Sequence, residues 1–529
     1  MNSYPSIFND VIGPVMRGPS SSHCAASLRI GRICRDLMDG DIKEVFIEFA
    51  PNGSLATTHE GQGSDMGLFG GFLGWDADEE RLPQYLKAIE EANIQVEIKI
   101  HDIGASHPNT YKITLKNERE TRELTALSLG GGMIQIVEID GAKVAMQGDY
   151  YQTLIYVESG FNMIHEIAEQ FSCDEIALRK GTFNFIEIKA NRFISADLES
   201  KLEKMKGVLF LKRLDPVLPI LASKTLQVPF ITCNEMLDYN ADKNLELWQL
   251  ALNYESIRGN LSEEEVFEKM RSILRIMENA IITGLKGTAY KDRILGPQSL
   301  TFQEKMNGKK LVNGDVLNTV VLYTSAIMEV KSSMGVIVAA PTAGSCGALP
   351  GAIIGVAKIL ELAEDHKVKA LLSAGLIGVF IAGHATFAAE VGGCMAECGS
   401  GSGMAAAGIV SLKQGSLEQS LSAASMALQS SLGMVCDMIA DRVEAPCLNR
   451  NVMAASNAIS CANMALSDYN HLIPLDEVIE TMKKVGDAMP NTLCCTGLGG
   501  LAITKTAKEI EAKLNGGKTN KNKTFFKVC

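Results

Sequence analysis

Four cysteines in the second half of this chain restrict its fold more than any other feature. Cys394, Cys436 and Cys447 sit in a Gly/Ala/Met-rich region that reads as helical, and Cys529 is the last residue of the sequence. Three thiolates from separated elements match three irons of a cubane cluster and leave one iron open to a substrate. Four thiolates would close the cluster and suit electron transfer. The chain therefore has to bring distant segments to one buried point, with Cys529 as a visitor to the open iron. A second reading uses Cys394 and Cys398, one helical turn apart, for a tetrahedral zinc, although no further short-spaced Cys/His pair accompanies them. Cys24, Cys34, Cys173, Cys233 and Cys461 read as small buried residues.

Thirteen cysteines scattered over 529 residues fit a reducing compartment better than a disulfide framework. The N-terminus has neither a basic region nor a long apolar stretch of signal type, so a cytoplasmic location is expected. A net charge of −12 gives no reason to expect nucleic acid or an anionic membrane as partner. Leu371 to Ala389 is long enough to span a bilayer. However, it contains His384, Thr386 and three glycines and runs into AEVGGCMAEC, so a buried core helix is expected.

The expected fold class is multidomain α+β. Residues 1–148 mix strand alternation (Val45–Ala50, Ile94–Ile100, Tyr111–Lys116, Ile134–Ile139) with helical runs at Ala25–Met38 and Arg81–Ala92, an α/β domain. Residues 150–215 read strand, helix, strand, strand, helix, strand, the ferredoxin-like order, and resemble an ACT domain. Residues 225–515 lose strand signals and predict an all-α domain, with helices at Glu263–Thr283, Val316–Lys331, Gly351–Leu362, Val368–Phe387, Leu417–Leu432, Arg450–Leu466 and Leu475–Ala488. Residues 516–529 read as a mobile tail.

Two loops have the chemistry of anion sites. In GPSSSHC (Gly18 to Cys24), Ser20, Ser21, Ser22 and His23 precede a helix, where hydroxyls and backbone N–H groups converge. An ordinary helix cap needs only one of those serines. APTAGSCGALPG (Ala340 to Gly351) repeats the design with Thr342 and Gly344, glycine permitting close backbone approach. The bland alternative is a tight turn between packed helices. HPNT supplies His107 and Asn109 after a strand.

Taken together, these residues resemble the iron–sulfur-dependent L-serine dehydratases. VIGPVMRGPSSSHC, HPNT and SLGGG look like that family's β domain. APTAGSCG, GCMAECGSGSGMAAAG, LGMVCDMIADRVEAPCLNRN and GLGGLA look like its α domain. The resemblance implies a [4Fe-4S] cluster on Cys394, Cys436 and Cys447, an inhibitory tail cysteine at Cys529, no pyridoxal phosphate, a small amino acid as substrate and a homodimer. Three departures stand out. The family's GHGTD loop is here Gly61-Gln62-Gly63-Ser64-Asp65. An Asn-Ala-Ser-Ile-Ser run is replaced by His384 to Ala388, and an Arg-Glu pair by Cys494-Cys495. Gln62 has no basic nitrogen at neutral pH, so the base is sought at His384 first, then His107 and His23. Ser20 to His23, Asn109, Thr342 and Gly344 are expected to bind substrate. The expected reaction is conversion of L-serine to pyruvate and ammonia, the open iron acting as Lewis acid. The alternatives are a cysteine desulfidase on the same scaffold and a non-catalytic amino-acid-binding regulator that carries a cluster.

Overall fold

In the computed structural model, residues 4–290, 293–440 and 442–514 are described. The N-terminal region is built on a six-stranded sheet. Its strand order is Gln95–Ile100, Glu44–Phe49, Thr110–Lys116, Thr121–Gly130, Met133–Ile139 and Ala142–Met146. The first pair is parallel and the remaining pairs antiparallel. The strand Thr121–Gly130 is absent from the sequence reading. Its inward positions include Arg122 and Ser128, so its alternation is not hydrophobic. Buried Arg122 is paired with Glu120 and Asp140 and lies over the rings of Tyr156 and Phe210.

The following residues form a four-stranded antiparallel sheet, ordered Val208–Leu214, Tyr151–Val157, Asn184–Ala190, Glu175–Arg179. Helices Ile164–Gln170 and Ala196–Leu202 complete the strand–helix–strand–strand–helix–strand order read from the sequence. A separate apolar cluster around Ile155, Ile167, Ile186 and Leu198 holds them together.

From Cys233 onward the chain is helical, with one exception. Val336–Val338 is a short strand pairing antiparallel with Val15–Arg17 near the N-terminus, which corrects the all-α expectation. Three residues are too few to show a period of two, and only the distant partner makes them a strand. The same N-terminal segment, from Ile7 to Leu28, shares the large helical core. Ser6 and the backbone N–H of Ile7 hydrogen-bond to the buried Glu255 carboxyl. Helix Glu364–His384 is long and apolar enough to cross a membrane by composition. It packs as a core helix, with 72% of its most apolar window buried.

Two helices place the N-terminal half of the site. Ala26–Leu37 follows the Ser20–His23 loop, and Ser64–Phe72 follows the Gln62 loop. Glycines let their backbones touch. A Cβ on Gly67 would lie 2.0 Å from the Cys24 carbonyl oxygen, one on Gly71 2.3 Å from that of Leu28, and one on Gly31 2.4 Å from that of Leu68. All three obstacles are backbone atoms, so neither loop can shift without the other. Gly71→Ala should therefore destabilise the protein by about 1–3 kcal/mol, the usual range for overpacking. Urea unfolding should show a lower midpoint. An unchanged midpoint would mean that the helices can separate at no cost.

Candidate active site

The cysteine-rich corner forms first. Cys394 ends the short helix Ala389–Cys394, where Gly393 has φ 64°. A side chain at Gly393 would strike the Met434 carbonyl at 2.7 Å, so glycine is needed for the chain to turn there. The Met395 N–H then donates to the Met434 carbonyl (2.8 Å), which brings Cys394 beside Cys436. Cys436 lies on an extended segment clipped to residues 493–495: its N–H donates to the Leu493 carbonyl (2.8 Å), and the Cys495 N–H donates to the Cys436 carbonyl (3.0 Å). Cys447 opens helix Cys447–Leu466. All three cysteines are buried.

Cys436 and Cys447 line a narrow cavity of about 10 Å³, together with Ser20, Gln62, Glu390, Glu397, Met438 and Cys495 among others, and the Cys394 thiol is within hydrogen-bonding reach of Cys436. Cys394 is held well below the usual thiol range, first by hydrogen bonds from Cys398 and Cys436 and then by Arg450. One Arg450 Nη lies 3.5 Å from the Cys394 sulfur and the other pairs with Asp437. Burial pushes the Cys447 thiol up. Among the described residues no three His, Cys, Asp or Glu side chains form a site for a single metal ion. Three buried thiols from three elements, Cys436 and Cys447 on one cavity wall and Cys394 in contact with Cys436, have the chemistry of cluster ligands. Cys398 touches Cys394 as well, and its sulfur also lies 3.6 Å from the Asn451 amide nitrogen. Cys529 lies outside the described residues.

The serine loop and the loop of residues 340–351 touch beside this cavity. The Ala343 N–H donates to Ser21 Oγ (3.1 Å), and Ser20 reaches the cavity wall. His23 is fully buried, and desolvation lowers it to about 3, so it is neutral. The Thr58 hydroxyl donates to the Ser54 carbonyl (2.7 Å) and accepts from His23 Nε2 (2.8 Å). This leaves Nδ1 to accept from Ser20 Oγ (3.1 Å). Both ring nitrogens are therefore engaged. Thr342 Oγ1 donates to Glu397 Oε1 (2.6 Å), and a Cβ on Gly344 would be 2.7 Å from both Glu397 oxygens. The Glu397 carboxyl thus occupies the space that Thr342 and Gly344 were expected to offer a substrate.

Glu390 and Glu397 are the site residues that sequence reading missed. Burial raises Glu397 to about 8 and also raises Glu390. Glu390 Oε1 is 3.9 Å from His23 Nδ1. Asn109 lies beside Glu390 and favours its charged form, yet neither polar atom of the buried Asn109 side chain has a hydrogen-bond partner of ordinary geometry among the described residues. His107 is half-buried and accepts from the Asn109 N–H (3.1 Å), so it positions Asn109 and does not line the cavity. His384 is exposed at the end of its helix, with Nδ1 3.0 Å from the Phe380 carbonyl oxygen. Gln62 lines the cavity and His384 does not, so the expectation that they face one pocket is not met. Helix Glu364–His384 ends before the chain turns inward at Ala388. His59, also missed, pairs with Asp65 (2.8 Å) and braces the Gln62 loop.

Comparison with known proteins supplies the family. Residues 242–502 match the family described as serine dehydratase alpha chain. The chain is 37% identical over 295 residues to the probable L-serine dehydratase alpha chain of Bacillus subtilis, covering 56% of this chain and 98% of that protein. It is 34% identical over 214 residues to the probable beta chain of the same organism, 39% of this chain and 96% of that one. It is 25% identical over 503 residues to L-serine dehydratase 1 of Escherichia coli, 92% of this chain and 96% of that one. The chain belongs to the L-serine dehydratase family. It is an enzyme, a lyase, and its sequence spans in one polypeptide what the Bacillus relatives carry in two. A sequence signal for the missed carboxyls did exist: Glu390 and Glu397 are the only charges in AEVGGCMAECGSGSGMAAAG, seven residues apart and flanking Cys394.

The raised Glu397 has a thermodynamic consequence. The folded protein keeps this proton between about pH 4.5, the ordinary value, and about 8, whereas the unfolded chain has lost it. Its contribution to stability is complete below the ordinary value and is lost as pH rises to about 8. In chelator-treated protein, wild type should lose stability relative to Glu397→Gln as pH rises through that window, read from urea midpoints. A difference independent of pH would show that Glu397 is not held protonated.

Proposed function

We propose that this protein converts L-serine to pyruvate and ammonia at the cavity between the serine loop and the cysteine corner. The observation that carries the reading is the convergence of Cys436, Cys447, two raised carboxyls and Ser20 of the serine loop on one cavity, with Cys394 in contact with Cys436. The cysteines would hold a [4Fe-4S] cluster, which supplies, when bound, a Lewis-acidic iron for the leaving hydroxyl.

The remaining chemistry belongs to the chain. Ser20, the neighbouring backbone N–H groups and the unpaired Asn109 amide bind the substrate carboxylate, and neutral His23 fixes the Ser20 hydroxyl. The α-carbon is one bond from that carboxylate, so the group beside Asn109 and His23 is the one in reach of its proton. Glu390 takes that position; a carboxyl raised toward neutrality is a stronger base than an exposed one. Glu397, uncharged near neutral pH, gives a proton to the departing oxygen while Thr342 holds its other oxygen. Loss of water yields an enamine, its imine tautomer is hydrolysed, and ammonia is released. Walls of Met438, Val443 and Ala389 limit bulk water during these steps. We read residues 150–215 as a ferredoxin-like, ACT-like accessory domain, supported by its strand order and separate core.

Anaerobically purified protein should form 2-oxo acid from L-serine. Cys394→Ser, Cys436→Ser or Cys447→Ser should remove both colour and activity, and Cys398→Ser should keep the colour. Glu390→Gln should keep the colour and lower kcat by about 10²–10⁴-fold, the range for a lost general base, while His384→Asn stays near wild type. Sulfide release from L-cysteine without turnover of serine would contradict the assignment, and so would a Glu390→Gln enzyme of normal kcat.

A further inference from the structure

Cys495 has no place in the reaction just described, yet it lines the same cavity as Cys436 and Cys447. Its position is built. The backbone bonds that clip residues 493–495 to Cys436 hold it there. Its thiol is within hydrogen-bonding reach of the Cys436 thiol and lies 3.8 Å from the Met438 sulfur. Its φ is 56°, a left-handed conformation that residues other than glycine and asparagine seldom adopt. The adjacent Cys494 points elsewhere, its sulfur 3.5 Å from the Val391 carbonyl oxygen. The fold thus accepts backbone strain at 495 and directs that thiol, and not its neighbour's, into the cavity.

Resting on the cluster reading above, we propose that Cys495 is a resident fourth thiolate that closes the cluster in the substrate-free enzyme and yields its iron to substrate. Binding transfers the thiol proton to solvent and a sulfur lone pair to iron, with no change in oxidation state. Displacement by substrate reverses both. A ligand on the cavity wall needs no long tether, so its effective concentration at the iron is high. Cys529 is a separate candidate for the same iron and has to be removed before Cys495 can be observed.

The test compares Cys529→Ser with Cys529→Ser/Cys495→Ser, both reconstituted anaerobically with iron and sulfide. Cys529→Ser/Cys495→Ala serves as a second variant and Cys529→Ser/Cys494→Ser as a control. Iron and sulfide content of the parent tests the cluster reading by itself. Mild ferricyanide oxidation then strips an iron that lacks a protein ligand and leaves a [3Fe-4S] paramagnetic signal. The Cys495 variants should give several-fold more of that signal than the parent and the Cys494 control, at equal initial iron. Equal signals in all four proteins would overturn the proposal. Complete loss of cluster from both Cys495 variants would also overturn it, by making Cys495 one of the three primary ligands.

Discussion

Burying several ionisable groups in one small cavity is the constraint on which this structure depends. The thiols of Cys436, Cys447 and Cys495 and two carboxyls face a space with little water, and Cys394 is buried against Cys436. Desolvation penalises every charge placed there. The protein meets this with Arg450, shared between the Cys394 sulfur and Asp437, with the buried Lys331, whose charge acts on Glu397 and Cys447, and by leaving both carboxyls raised. A cluster seated on the thiols, as proposed, would absorb their charge.

The two halves of the chain supply different parts of this device. The helical half carries Cys394, Cys436 and Cys447 and both carboxyls. The N-terminal half carries the serine loop, the Gln62 loop and Asn109, held by the glycine-packed helices Ala26–Leu37 and Ser64–Phe72. The strand pair of Val15–Arg17 with Val336–Val338 and the Ser21–Ala343 hydrogen bond join the halves directly beside the cavity. A fold divided between two chains, as the Bacillus relatives are, would have to make these same contacts across a subunit interface.

Much of this was legible in the sequence. The alternating strands and the long helices were, because period and length are local properties. The convergence of Cys394, Cys436 and Cys447 followed from residue type. The strand Thr121–Gly130 was hidden because its inward face includes Arg122, whose burial depends on Glu120, Asp140 and two distant rings. Helix Ser400–Leu412 was hidden by its glycines, which are there for contact: a Cβ on Gly408 would meet Ile353 at 2.6 Å. The base could not be located from composition. His384 has the right chemistry and the wrong exposure, whereas Glu390, the base proposed above, looks like an ordinary charge until its burial is known.

The most direct test of the account is Mössbauer spectroscopy of ⁵⁷Fe-reconstituted protein, recorded anaerobically with and without L-serine. If the cavity holds a cluster on three primary thiolates with one iron open to substrate, serine should shift one iron subsite and leave the other three unchanged. Spectra identical with and without serine, or iron that never assembles into a cluster, would contradict it.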